Sequence, residues 1–172
     1  MSRPTLGMLV AALLAIGSLV GTVSAQTTTC PNTQTITTGS IVSGSYTDLC
    51  AIDGAKETLK EGAPNGKSRL RAFWVIPNVP PGDNSINFWG TRPTNSEGDD
   101  FQFGYNTTGQ IIYQSIDGAI INKPFAPDGG ITIPLLHTTQ TTTFYLALWD
   151  TNNNGPILDT VTLDAVRIIT TP

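Results

Sequence analysis

The stretch SRLRAFWVIPNV, Ser68–Val79, decides the fold. Leu70, Ala72, Trp74 and Ile76 fall at every second position, so an extended chain carries all four on one face. A helix would scatter them around its axis. The run meets a strong break at Pro80-Pro81-Gly82-Asp83-Asn84. Beyond it, SINFWG (Ser85–Gly90) sets Ile86 and Phe88 against Asn87 and Trp89. DFQFGYN (Asp100–Asn106) repeats the pattern with Phe101, Phe103 and Tyr105, and Asn106-Thr107-Thr108-Gly109 reads as a hairpin turn into a strand over Gln110–Ile116.

Outward from these, strand-like runs occupy Ser40–Leu49, Lys56–Glu61, Ile131–Leu136, Thr142–Trp149 and Asp159–Thr170. None of them has a helical period. About nine short strands with regular turn punctuation predict an all-β chain, a jelly-roll-type antiparallel β-sandwich.

The N-terminus predicts export. Arg3 is the one charge before the apolar run Leu6–Val20, which is about 15 residues long. That is short for a membrane span and suits the core of a secretory signal. Val23-Ser24-Ala25 ahead of Gln26 fits a signal-peptidase site. The expected organisation is a signal peptide over 1–25, a Thr-rich tail over 26–38 and one sandwich domain over 39–172. The expected setting is extracellular or cell-surface, with no membrane insertion after processing.

Composition narrows the partners. Removing Arg3 from nine Lys and Arg leaves eight, against thirteen Asp and Glu. No basic cluster occurs, which argues against nucleic acid. Cys30 and Cys50 are the two cysteines, and in an oxidising compartment such a pair forms a disulfide. His137 is the sole histidine, and there is no C-x-x-C, which argues against zinc and redox roles.

Three ordered blocks carry a resemblance: SGSYTDLCAIDG (Ser43–Gly54), NSEGDDFQFGYNTTGQIIY (Asn95–Tyr113) and LALWDTNNNGPILDTVTLDAVRI (Leu146–Ile168). Together they resemble a jelly-roll-like β-sandwich domain of bacterial and archaeal secreted and cell-surface proteins. That group is similar in layout to galactose-binding-like carbohydrate-binding modules. The resemblance implies a fold and an extracellular setting, without an assigned ligand. Domains of the group are commonly tethered to larger proteins, whereas this chain carries one domain.

Candidate sites are few. Asp150-Thr151-Asn152-Asn153-Asn154-Gly155 matches the opening half of a calcium loop, where alternate oxygen side chains converge and Gly allows a sharp turn. The twelfth position is Val161 in place of a bidentate Glu, so Asp159 is the expected fourth ligand beside Asp150, Asn152 and Asn154. The plainer reading is a polar turn without Ca2+. Trp89 and Trp149 alternate away from apolar neighbours, and with Tyr113 they are the candidate rings for stacking on sugars. Glu97, Asp99 and Asp100 read as a solvated loop and strand start, and no G-x-S-x-G elbow or partnered histidine supports nucleophilic catalysis. The expectation is a secreted, non-catalytic module that binds a glycan or cell-surface polymer. Its alternative is a structural subunit of an extracellular filament, matrix or surface layer, with the N-terminal tail engaging a neighbour by strand addition.

Overall fold

A computed structural model describes residues 24–63, 69–91, 101–107, 129–150 and 158–172. The Leu6–Val20 run and the expected strand over Gln110–Ile116 lie outside these residues. The strands are Thr27–Thr29 (β1), Thr33–Thr38 (β2), Ser40–Ser43 (β3), Glu57–Lys60 (β4), Arg71–Val79 (β5), Gly82–Thr91 (β6), Phe101–Asn106 (β7), Gly129–Thr138 (β8), Thr142–Asp150 (β9) and Thr160–Thr171 (β10). One 3-10 turn, Tyr46–Asp48, lies between β3 and β4.

Two antiparallel sheets form a sandwich. The first has the order β3-β4-β10-β6-β8, with β1 also on β10; the second has the order β2-β5-β9-β7. From β4 to β10 successive described strands alternate between the sheets, giving β4-β10-β6-β8 over β5-β9-β7. That interleaving is how a jelly roll winds.

The period-two runs fill the space between the sheets. Leu70, Ala72, Trp74 and Ile76 are wholly buried, as are Phe144, Leu146 and Leu148 of β9. From the first sheet come Ile86 and Phe88 of β6, and Val161, Leu163, Val166 and Ile168 of β10. Phe88 sits at the centre: its ring is 6.2 Å from Trp74, edge-on, and 4.4 Å from Phe103. Such aromatic contacts join the two layers with fixed geometry.

β10 organises the first sheet. One edge pairs with β6 from Thr162↔Thr91 to Thr171↔Asp83, with a bulge between Leu163 and Ala165. The other edge is shared by three segments. β4 takes Thr160–Leu163, the Val166 N–H donates to the Leu49 carbonyl at 2.9 Å, and β1 takes Ile168–Thr170. Leu49 is fully buried and plugs the gap between β4 and β1. Cys50 follows it and is bonded to Cys30 at the end of β1, with Cα atoms 5.2 Å apart, as a disulfide requires.

Three features differ from the sequence expectation. The run Ser40–Leu49 is not one strand: β3 ends at Ser43 because Gly44 adopts φ +77°, and a Cβ there would overlap the Lys56 carbonyl oxygen. The break after Val79 is only Pro80-Pro81, since Asp83 and Asn84 already pair with His137 and Leu136. The stretch Gln26–Thr38 is not a hanging tail: β1 pairs β10 and β2 pairs β5, so it is woven into both sheets.

Asn84 explains why a polar residue continues the inward row of Ile86 and Phe88. Its amide donates to the carbonyls of Gly82 (3.1 Å) and Leu136 (3.2 Å) and to Thr138 Oγ1 (2.9 Å). Its Oδ1 accepts from the buried Thr170 hydroxyl at 2.6 Å. β8, β6 and β10 are thereby pinned in one register. Asn84→Ala orphans these groups and is expected to cost about 2–3 kcal/mol, read as a lower denaturant midpoint at unchanged slope. Replacing both cysteines with Ser is expected to cost about 3 kcal/mol by the same measurement, because the bridge closes a loop spanning a sequence separation of 20.

Candidate functional site

The outer side of the first sheet presents a built surface. On β6 the inward residues are Asn84, Ile86 and Phe88, so Ser85, Asn87 and Trp89 point the other way. Trp89 is 37% exposed. Its cross-strand neighbours are Ala165 on β10 and Gly130 on β8. Small residues on both sides leave part of the indole open to solvent.

The next row along the strands is polar: Thr132 on β8, Asn87 on β6 and Arg167 on β10. Arg167 is held in place, since its Nε donates to Asn87 Oδ1 at 3.2 Å and its Nη1 donates to the Cys50 carbonyl at 3.2 Å. A guanidinium with five N–H donors keeps further donors beyond these two bonds. The loop 50–55 stands beside β10 as a wall. Gly54 N–H donates to Asp164 Oδ1 at 3.1 Å, and Asp53 folds back on the Ala55 N–H at 3.0 Å. Further along, Asp83 and His137 are cross-strand neighbours with Oδ1 and Nδ1 2.8 Å apart, both exposed. This surface pair is in high dielectric and adds little to stability.

Trp149 also points away from the core, but on the other sheet, between Arg71 of β5 and Gln102 of β7. It is half-buried, and beside it the outer row Phe73–Ala147–Gly104 is buried as well. Trp89 and Trp149 therefore occupy opposite outer faces and cannot grip one ligand. Tyr113 lies outside the described residues, as do Glu97, Asp99 and Asp100.

Of the calcium-loop residues, Asn152 and Asn154 lie outside the described residues, and Asp150 is placed only as the last residue of β9, opposite Phe101. Asp159 is buried. Its N–H donates to Glu61 Oε2 at 2.8 Å, and its carbonyl accepts from the Glu61 N–H at 3.0 Å. Glu61 is thus a carboxylate bonded to the Asp159 backbone that the sequence reading did not single out. Among the described residues, no three His, Cys, Asp or Glu side chains gather as a metal cluster.

Glu57 was also missed. It is fully buried on the inner face of β4, opposite Leu163. Gln34 Nε2, from β2 in the other sheet, donates to its Oε2 at 2.7 Å. Burial pushes its carboxyl up to about 7 from 4.5; the Gln34 hydrogen bond partly offsets this, and the nearby Asp48 charge adds to it. The signal was present in KETLKEG (Lys56–Gly62), where Glu57, Leu59 and Glu61 share one face. Counting charges there suggests a solvated strand, whereas Leu59 marks the buried side.

No protein-family model matches the sequence, and no match is found among curated proteins. Among solved structures, the chain is similar to a family GH115 4-O-methyl-α-glucuronidase, BtGH115A, which has specificity for decorated arabinogalactans. The TM-score is 0.43 at 12% identity, over 80% of this chain and 17% of that one, so the chain spans a small part of that protein's length. Among the described residues, no helix is long and apolar enough to cross a membrane.

Proposed function

We propose that this protein is an exported, non-catalytic module that recognises a glycan or cell-surface polymer on the outer face of β8-β6-β10. The observation that carries the reading is Trp89, an exposed ring between Gly130 and Ala165 beside a polar row in which Arg167 is held by Asn87. A sugar offers an apolar C–H face and an edge of hydroxyls. A flat ring meets the first, and the Arg167 guanidinium, held by the buried Asn87, meets the second at reduced ordering cost on binding. The disulfide supports the exported setting, since such bonds persist in oxidising compartments.

A structural subunit is the second reading, and β3 favours it. β3 is the edge of its sheet, all four of its residues are exposed, and Ile41 and Val42 stand 49% and 56% exposed. An uncharged apolar edge invites pairing with another chain. A calcium ion at Asp150, Asn152, Asn154 and Asp159 belongs to the same proposal as a structural cofactor. Its support is the oxygen spacing of that loop and the Glu61 carboxylate held against Asp159.

Trp89→Ala is expected to weaken glycan retention by roughly tenfold, about 1.4 kcal/mol of lost ring contact, in affinity electrophoresis or calorimetry. Trp149→Ala, on the opposite face, is expected to leave that retention unchanged; equal loss in both variants would rule out the β6 face. For calcium, thermal melts with the ion and with chelator are the measurement. A higher midpoint with calcium is the expected outcome, because a ligand of the folded state stabilises it by mass action, and coincident midpoints would leave a polar turn.

A further inference from the structure

The inner end of β4 carries a polar cluster unrelated to the Trp89 face. Glu57 is wholly buried there, and its Oε1 has no hydrogen-bond partner among the described residues. Its other oxygen is held by Gln34, and Gln34 pairs directly with Trp74, whose buried indole N–H also lacks a partner among them. What faces the carboxyl is neutral or of the wrong sign. β2 offers Gln34, β5 offers Trp74, β10 offers Leu163, and the 3-10 turn contributes the anion of Asp48. Lys56, next in sequence, is exposed. No cation on these elements meets a charge at Glu57, so an ionised carboxyl must reach water.

The easiest way out is through β2. Among the described residues it is an edge strand that pairs with β5 alone, and it alternates exposed and half-buried residues without one that is fully buried. Cys30 before it and Cys50 after it are joined, so β2 can lift without leaving. We propose that the buried Glu57 carboxyl is an acid-closed latch on β2: while neutral it stays covered by the strand, and ionisation, which the Gln34 hydrogen bond alone does not offset, draws it to water and lets β2 open as a tethered flap. Opening bares the backbone edge of β5 from Arg71 to Val75.

The direction follows from proton linkage. With β2 closed, the carboxyl holds its proton up to about pH 7; with β2 open, it returns toward 4.5. Closure is therefore complete in acid and weakens as pH rises from about 4.5 through 7. The opening equilibrium should rise by about tenfold per pH unit across that window and level off above it.

Amide hydrogen exchange of the intact, oxidised protein between pH 4 and 8, corrected for intrinsic rates, is the test. The expected result is that β2 amides open more readily than those of β9 at every pH, with the tenfold-per-unit rise. In Glu57→Gln, which keeps the shape and removes the charge, β2 opening should be flat with pH. If β2 and β9 share one opening constant in the unmodified protein, the strand leaves only with the whole domain and the latch is wrong. A slope that survives in Glu57→Gln would equally overturn it.

Discussion

The first sheet depends on the backbone of β10 being claimed on both edges. β6 runs along one edge almost from end to end, while the other is completed in turn by β4, the Leu49 carbonyl and β1. Buried peptide groups must find partners, so a β10 with a gap in that second edge would leave orphaned groups beside Val166. The bulge between Leu163 and Ala165 marks where the partner changes, and Leu49 fills the interval with both a carbonyl and an apolar side chain. Residues from the two ends of the chain and from its middle thus meet on one strand. The sandwich closes only when those distant pieces are in register.

Much of this was legible in the sequence because alternation is a direct consequence of strand geometry. Leu70, Ala72, Trp74 and Ile76 face inward as their spacing predicts, and Trp89 faces outward by the same rule. What periodicity could not convey is which solvent-side surface a residue occupies. Trp89 and Trp149 both oppose apolar neighbours, yet one rides on β6 and the other on β9, in different sheets. Strand order is fixed by pairings far apart in the chain, and a local pattern carries no record of it.

Polar residues in buried places were the other illegible part. Asn84, Glu57 and Glu61 continue inward rows that apolar residues begin, and each is buried. Composition assigns such residues to solvent, since burying them is costly unless they are hydrogen-bonded. Here the partners come from other strands: Thr170 and Thr138 for Asn84, Gln34 for Glu57, and the Asp159 N–H for Glu61. The Thr-rich N-terminal stretch misled for the related reason that threonine serves equally in a solvated tail and in a strand. Its incorporation shows in the register of β1 with β10 and of β2 with β5.

The Cys30–Cys50 bond makes a covalent ring, and β2, β3 and the Tyr46–Asp48 turn all lie inside it. β3 is the most solvent-facing strand of that ring. A protease that severs β3 opens the ring to a single line without dividing the molecule, since the two pieces stay joined through sulfur. β1 then remains anchored where it completes β10, and the nicked protein migrates as one species until a reductant is added. In oxidising surroundings, cleavage of this exposed edge strand sheds nothing.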